Sequence, residues 1–196
     1  MKEISTDLGN LSDIHLRLIV DCLNKGKVIA YPTDTIYGLG CLANKEKAVK
    51  KIRHIKQQKV DKPFLILISS LSMAKKYCFI SQKQEKYLKK VWPGPVTVVL
   101  KNRGLLPREL TGEIDSIAVR LPKSEFIAKI IKRAKMPIVS TSLNKTKDKN
   151  LVSASNLDNY FISFKPDLVI NVGKLQKKAS MLVDLRDIEN IKILRK

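Results

Sequence analysis

The sequence predicts one α/β domain built on a twisted mixed sheet surrounded by helices, and three observations carry that prediction. Short apolar runs of strand length alternate with amphipathic stretches of helical period. Their spacing is too irregular for a regular parallel crossover repeat, which points to mixed strand directions. A chain of 196 residues, 44% hydrophobic and 29% charged, has the balance of a globular protein and can bury one sizeable core, so a single domain over residues 1–196 is expected.

The elements follow in order. Leu11, Ile14, Leu18, Ile19 and Cys22 fall at helical spacing, with Ser12 as cap and Gly26 as stop after Lys25. Val28–Tyr31 is a short apolar strand halted by Pro32. Ala48, Val49, Ile52 and Ile55 mark a second helix from about Lys45 to Lys56. Phe64–Ile68 reads as a buried strand, followed by helices over Leu71–Tyr77 and Gln82–Val91 with caps at Ser70 and Ser81. Trp92-Pro93-Gly94-Pro95 breaks the chain before a strand at Val96–Leu100. Ile117–Leu121 is a further strand, stopped by Pro122. Phe126, Ile127, Ile130 and Ile131 form a helical stripe after Ser124. Strands at Ile138–Thr141, Leu168–Asn171, Met181–Asp184 and Ile191–Leu194 complete the reading. The polar stretch 145–150 reads as a mobile loop rather than a domain boundary.

Composition excludes several classes. The longest apolar run, Phe64–Ile68, is far short of the roughly 20 residues of a membrane helix, and the N-terminus has no signal-peptide pattern. Cys22, Cys41 and Cys78 lie outside metal-ligand spacing of one another, and two histidines, His15 and His54, make no metal site. Free thiols in a reducing cytoplasm are expected, with no membrane partner. Lys and Arg number 38 against 18 Asp and Glu, a formal net charge of +20. Such a surface attracts polyanions, but 30 of the 38 are Lys, which reads as a solvated surface more than as Arg-based recognition.

Chemistry in α/β sheets collects at strand ends. Three places stand out. Tyr31–Gly40 carries Thr33, Thr35 and Tyr37 as hydroxyl donors, with two glycines that allow a tight turn or close approach to a ligand; a capped turn is the alternative. Pro137–Asn144 runs a strand into Ser140, Thr141, Ser142 and Asn144, a cluster suited to phosphate oxygens or to a simple turn. Arg120 sits in an apolar strand, where it faces either solvent or a cleft; in a cleft it can fork an anion. The sequence offers no Ser/His/Asp or Cys/His arrangement, no phosphate loop of the Gly-Lys-Ser/Thr type and no close carboxylate pair. His54 reads as a surface residue and Cys41 as a core or wall residue.

Together these motifs resemble the YrdC/TsaC family of threonylcarbamoyl-AMP synthases, in its short single-domain form. The motifs are Gly26–Gly40, Trp92–Thr97, Asp115–Pro122 and Ser140–Asn144, with a thinner match at Ala179–Asp184; the resemblance spans about 10–184. It implies a twisted mixed sheet with an open basic cavity. It also implies a reaction in which L-threonine, bicarbonate or CO2 and ATP give threonylcarbamoyl-AMP and pyrophosphate. ATP is then a substrate, Mg2+ travels with it, and downstream proteins carry the threonylcarbamoyl group to tRNA. Holding two anions together needs positioning and electrostatics more than a nucleophile, which suits this residue set.

Residue by residue, the resemblance implies threonine binding at Thr33, Thr35, Tyr37, Arg120, Ser140 and Ser180. It implies ATP binding at Lys56, Gln58, Lys62, Ser116, Ser142 and Asn144, with Lys56, Arg120 and Ser142 as the catalytic set and no protein metal site. Two departures stand out. Gln58 occupies the Arg position of the family's Lys-x-Arg motif, and Met181 stands where the family often has Thr. Lys59 or Lys62 could supply the charge that Gln58 lacks. The alternative reading is an RNA-binding module with weakened or lost catalysis, gripping tRNA through its basic surface; only 6% aromatic residues and no aromatic–basic interleaving speak against it.

Overall fold

Hydroxyl caps set where the helices begin. The structure, a computed structural model, describes residues 1–7, 11–58 and 63–196. Ser12 Oγ accepts from the His15 N–H to open α1 (Asp13–Asn24). Ser70 does the same for α3 (Leu71–Tyr77), and Ser124 for α6 (Glu125–Ala134). Ser81 and Gln84 cap each other's backbone at α4 (Gln82–Val91). Each such cap contributes about 1 kcal/mol. Helix α2 (Glu46–Lys56) ends with Gln57 in a left-handed conformation, φ 52°, which turns the chain away at Gln58. Two single-turn helices, α5 (Arg108–Thr111) and α7 (Leu157–Tyr160), complete the set.

The strands are β1 (Lys2–Ser5), β2 (Ile29–Tyr31), β3 (Gly38–Leu42), β4 (Leu65–Leu67), β5 (Val96–Lys101), β6 (Ser116–Arg120), β7 (Ile138–Ser142), β8 (Leu168–Asn171), β9 (Met181–Asp184) and β10 (Lys192–Arg195). Among the described residues they form one sheet in the order β1-β8-β2-β3-β7-β4-β6-β5-β9-β10. It is mixed, as predicted. Parallel pairs such as β4 with β6 and β5 with β9 alternate with antiparallel ones such as β3 with β7 and β5 with β6.

Strand alternation divides the core in two. On one face Leu16, Ile19, Val20 and Leu23 of α1 pack with Phe126, Ile127, Ile130 and Ile131 of α6 over Ile29, Tyr31, Leu67 and Ile138. On the other, α2, α3 and α4 cover Ala30, Leu39, Ile66, Val98, Val119 and Val139. Fully burying one such side chain contributes about 1.5–3 kcal/mol. Two residues beyond Ile138, Ser140 faces a cavity lined also by Leu65, Ala118 and Leu182.

Four expectations need correction. The buried face of α1 is Leu16, Ile19, Val20 and Leu23, whereas Ile14 and Leu18 are 69% and 53% exposed. The helix is apolar over a wide arc, and only one of its two stripes meets the sheet. The stretch to Gly40 is not all loop, because β3 starts at Gly38 and pairs on both sides. Glycines hid that strand. The N-terminal strand β1 was not legible in four residues of mixed polarity; its pairing with β8 holds it. Residues 145–150 are tied down: the Thr146 N–H and hydroxyl both donate to the Lys56 carbonyl, and the Asn144 amide donates to the Asp148 carbonyl.

Candidate active site

The cavity lies on the sheet face that also carries α1 and α6, lined by residues of β4, β5, β6, β7 and β9. Its volume is about 260 Å³. The wall holds Thr33, Thr35, Tyr37, Gln58, Arg120, Ser140, Ser142 and Ser180 from the sequence-based set. Leu65, Leu67, Ala118 and Leu182 form an apolar floor.

Arg120 leaves β6 on the cavity face and is only 4% exposed. It faces the cleft rather than solvent, and three groups hold it. Its Nη2 lies 2.7 Å from Asp34 Oδ1. Nη1 donates to Thr35 Oγ1 at 3.0 Å, and Nε donates to the Gly94 carbonyl at 3.0 Å. Burial lowers the Arg120 pKa, and Asp34 opposes that shift. The Trp92–Pro95 break has a use here, because it presents the Gly94 carbonyl to the guanidinium. The Lys123 N–H donates to Asp34 Oδ2. Thr33 Oγ1 accepts the Thr35 and Ile36 N–H groups and donates to the Ile36 carbonyl, which folds the Pro-Thr-Asp-Thr loop onto the arginine.

Lys56 forms the second cluster. It is 4% exposed, and its Nζ donates to the Ser142 carbonyl at 3.0 Å, to Ser142 Oγ at 3.2 Å and to Asn144 Oδ1. The Ser142 hydroxyl donates to the same Asn144 oxygen. Burial pushes the Lys56 pKa down to about 8, with Asp148 acting against the shift. Lys56 and Asn144 stand behind Ser142 rather than on the wall itself. Register separates the clusters: Arg120 pairs with Leu67, and Leu67 with Ile138, four residues before Ser142 on β7.

Other sequence-based candidates fall as follows. Ser180 Oγ lies 2.8 Å from Thr97 Oγ1 on the wall. Tyr37 sends its hydroxyl to the Gly173 carbonyl and receives the Val172 N–H, so its oxygen serves the fold. Ser116 is buried at the start of β6 and does not reach the wall. Lys59 and Lys62 lie outside the described residues. His54 is exposed beside the Phe164 ring, and Cys41 is buried core, both as read from the sequence.

Sequence reasoning missed Arg195. It lines the cavity from β10, and its guanidinium donates to the Ser180 carbonyl at 2.9 and 3.1 Å. It pairs with no carboxylate among the described residues. Asn150, on the tied segment, was missed as well. A run of exposed residues near the chain end gave no signal for Arg195; only the pairing of β10 with β9 returns it to Ser180. The arrangement can hold two anionic groups, one at each cluster, over an apolar floor.

Comparison with known proteins shows what the chain as a whole is similar to. The Sua5/YciO/YrdC family profile, described as telomere recombination, matches residues 21–196. A threonylcarbamoyl-AMP synthase of Pyrococcus abyssi is 34% identical over 177 residues, covering 88% of this chain and 51% of the relative. One of Shigella flexneri is 35% identical over 139 residues, covering 69% of this chain and 73% of the relative. The structure of P. abyssi Sua5 complexed with L-threonine superposes with a TM-score of 0.84 at 31% identity, over 94% of this chain and 54% of that one. This chain thus spans about half the length of its P. abyssi relatives. The profile covers most of the chain, and the chain belongs to the Sua5/YciO/YrdC family.

Proposed function

We propose that this cavity makes L-threonylcarbamoyl-AMP from L-threonine, bicarbonate or CO2 and ATP, releasing pyrophosphate. The observation that carries the reading is two buried cations at one hydroxyl-lined cavity, Arg120 on its wall and Lys56 behind the Ser142 that lines it. The names of the relatives and the threonine-bound neighbour support it.

The threonine amine captures CO2 as a carbamate. A carbamate oxygen attacks the ATP α-phosphorus, and the bond to the bridging oxygen of pyrophosphate breaks. Arg120, set by Asp34 and Thr35, holds the amino-acid carboxylate or the carbamate beside Ser140 and Ser180. Lys56, Ser142 and Asn144 hold nucleotide phosphates, with Gln58 beside them and Arg195 offsetting further negative charge. No group needs to act as a nucleophile; alignment and charge stabilisation supply the rate. Mg2+ would travel with ATP and offset phosphate charge there. The product passes in the cytoplasm to proteins that transfer the group to tRNA, and the +20 surface favours a tRNA nearby.

The test is pyrophosphate release. The purified chain should release it from ATP only when L-threonine and bicarbonate are both present. Equal release without threonine overturns the assignment.

A further inference from the structure

The Ser140 hydroxyl on the cavity wall is held by a side chain from two strands away. Tyr31 ends β2, is fully buried and does not line the cavity, yet its hydroxyl lies 2.8 Å from Ser140 Oγ on β7. Strand β3 runs between them. A ring can cross an intervening strand only where that strand presents no side chain. A Cβ on Gly40 would sit 2.7 Å from the Tyr31 ring and 2.6 Å from the Val139 carbonyl oxygen. One on Gly38 would sit 3.4 Å from the ring and 3.2 Å from Ser140 Oγ. Gly40 therefore leaves room for this ring to pass, and Gly38, which also lines the cavity, leaves room for the Ser140 hydroxyl.

The hydrogen bond has a definite polarity. A phenol is the stronger acid of the two hydroxyls and so the better donor. Tyr31 has no second polar partner among the described residues. If it accepted instead, its own proton would be buried without an acceptor, which is costly. Burial also raises the Tyr31 pKa, so the donor proton stays in place. Ser140 Oγ likewise has no other side-chain or backbone partner among the described residues. Its own O–H is left to point into the cavity.

We propose that Tyr31 is a positioning residue that fixes Ser140 as a hydrogen-bond donor to an oxygen of the amino-acid substrate. The proposal rests on the reading of this end of the cavity as the threonine site. It separates two functions of the Tyr-Pro-Thr-Asp-Thr segment. Thr35 and Asp34 orient the cation, while Tyr31 orients a neutral donor on the neighbouring wall.

Titration of L-threonine by calorimetry, which needs no turnover, tests it on four proteins: wild type, Tyr31→Phe, Ser140→Ala and the double variant. Each single variant should bind threonine about tenfold more weakly. The double variant should be no weaker than Ser140→Ala alone, because both changes remove the same donated bond. In the steady state, Tyr31→Phe should raise KM for threonine and leave kcat and KM for ATP unchanged; a merely structural role would shift all three or none. Wild-type threonine affinity in Tyr31→Phe overturns the proposal, as does a roughly hundredfold loss in the double variant. A wild type that binds no threonine overturns the functional reading and this inference with it. If Tyr31→Phe does not fold, the wild type still decides. A donated Tyr31 hydroxyl proton gives a slowly exchanging NMR resonance, and its absence overturns the proposal.

Discussion

The two cations of the cavity are built on opposite plans. Arg120 meets a carboxylate at 2.7 Å and is largely neutralised before any substrate arrives. Lys56 meets only neutral acceptors, the Ser142 carbonyl and hydroxyl and the Asn144 oxygen. A pre-paired guanidinium is fixed in direction and keeps its charge at any working pH, so it suits orientation of a small carboxylate. An unpaired buried ammonium is electrostatically unsatisfied, and a polyphosphate relieves it. The same comparison separates what each end costs the fold. Burying Lys56 charged opposes folding, whereas Arg120 and Asp34 stabilise each other and make a liability of whichever remains alone.

The largest effect that would sharpen this contrast is at Lys56. Lys56→Met should weaken ATP binding by about 100-fold, since a charge-assisted contact contributes about 1.5–3 kcal/mol and, among the described residues, Lys56 is the cation that contacts Ser142. Thermal stability should hold or rise, because a desolvated charge leaves the core. Calorimetric titration of ATP with a parallel melting curve reads both. An ATP affinity within threefold of wild type would remove Lys56 from the phosphate site.

Arg120→Ala should behave differently. Turnover should fall at least tenfold, and the protein should also melt earlier, because Asp34 is left nearly buried without its partner. Adding Asp34→Asn should recover much of the stability and none of the activity. Recovery of activity in that double variant would mean that Arg120 matters only as a counterion for Asp34.

The legibility of these groups in the sequence follows from chain distance. Thr33, Thr35, Ser140, Ser142 and Arg120 were legible because strand ends are where polar groups reach a cleft, and an arginine in an apolar strand needs a partner. Asp34 as that partner, Arg195 in the wall and Tyr31 behind Ser140 were not, since each depends on which strands lie side by side. That order, with β3 between β2 and β7 and β10 folded back along β9, is a property of the whole sheet. The starts of the Ser-capped helices α3, α4 and α6 were legible to the residue because the cap acts within three positions, whereas the uncapped single-turn α5 and α7 were not. The buried side of α1 was not, because local period does not tell which of two apolar stripes faces the sheet.

The pH response should separate the ends again. Lys56 has its pKa lowered from 10.5 to about 8, so between those values the unfolded chain binds more protons than the folded one. Stability contributed by this site should rise as pH increases through that window, with the burial penalty fully present below about pH 8. ATP affinity should move the other way, falling by up to tenfold per pH unit above about 8 as the ammonium loses its proton. Threonine affinity should not follow that titration, since Arg120 stays charged. Lys56→Arg should flatten the ATP profile. ATP and threonine profiles that fall together would show that the two ends are not independent.

The smallest expected effect concerns Gln58, where the resembled family carries Arg in its Lys-x-Arg motif. Gln57 in the left-handed region ends α2 and turns Gln58 onto the cavity wall, two residues from Lys56. A glutamine there donates hydrogen bonds without charge, so among the described residues the charge at the proposed nucleotide end comes from Lys56 behind Ser142 and, farther round the wall, Arg195. Gln58→Arg should add a fork toward the phosphates. Gln58 is only partly buried, so the new contact is screened and should tighten ATP by about fivefold, ~1 kcal/mol, rather than by the full value of a desolvated pair. The gain should shrink as salt is raised, and threonine affinity should stay constant, since its hydroxyls lie at the Arg120 end. Because Lys56 and the new arginine would repel each other, the Lys56 pKa should fall further and the drop in ATP affinity should begin at lower pH than in wild type. Titrating ATP at two salt concentrations across that range decides it. An arginine that changes neither affinity nor the pH profile would place position 58 outside the reach of the phosphates.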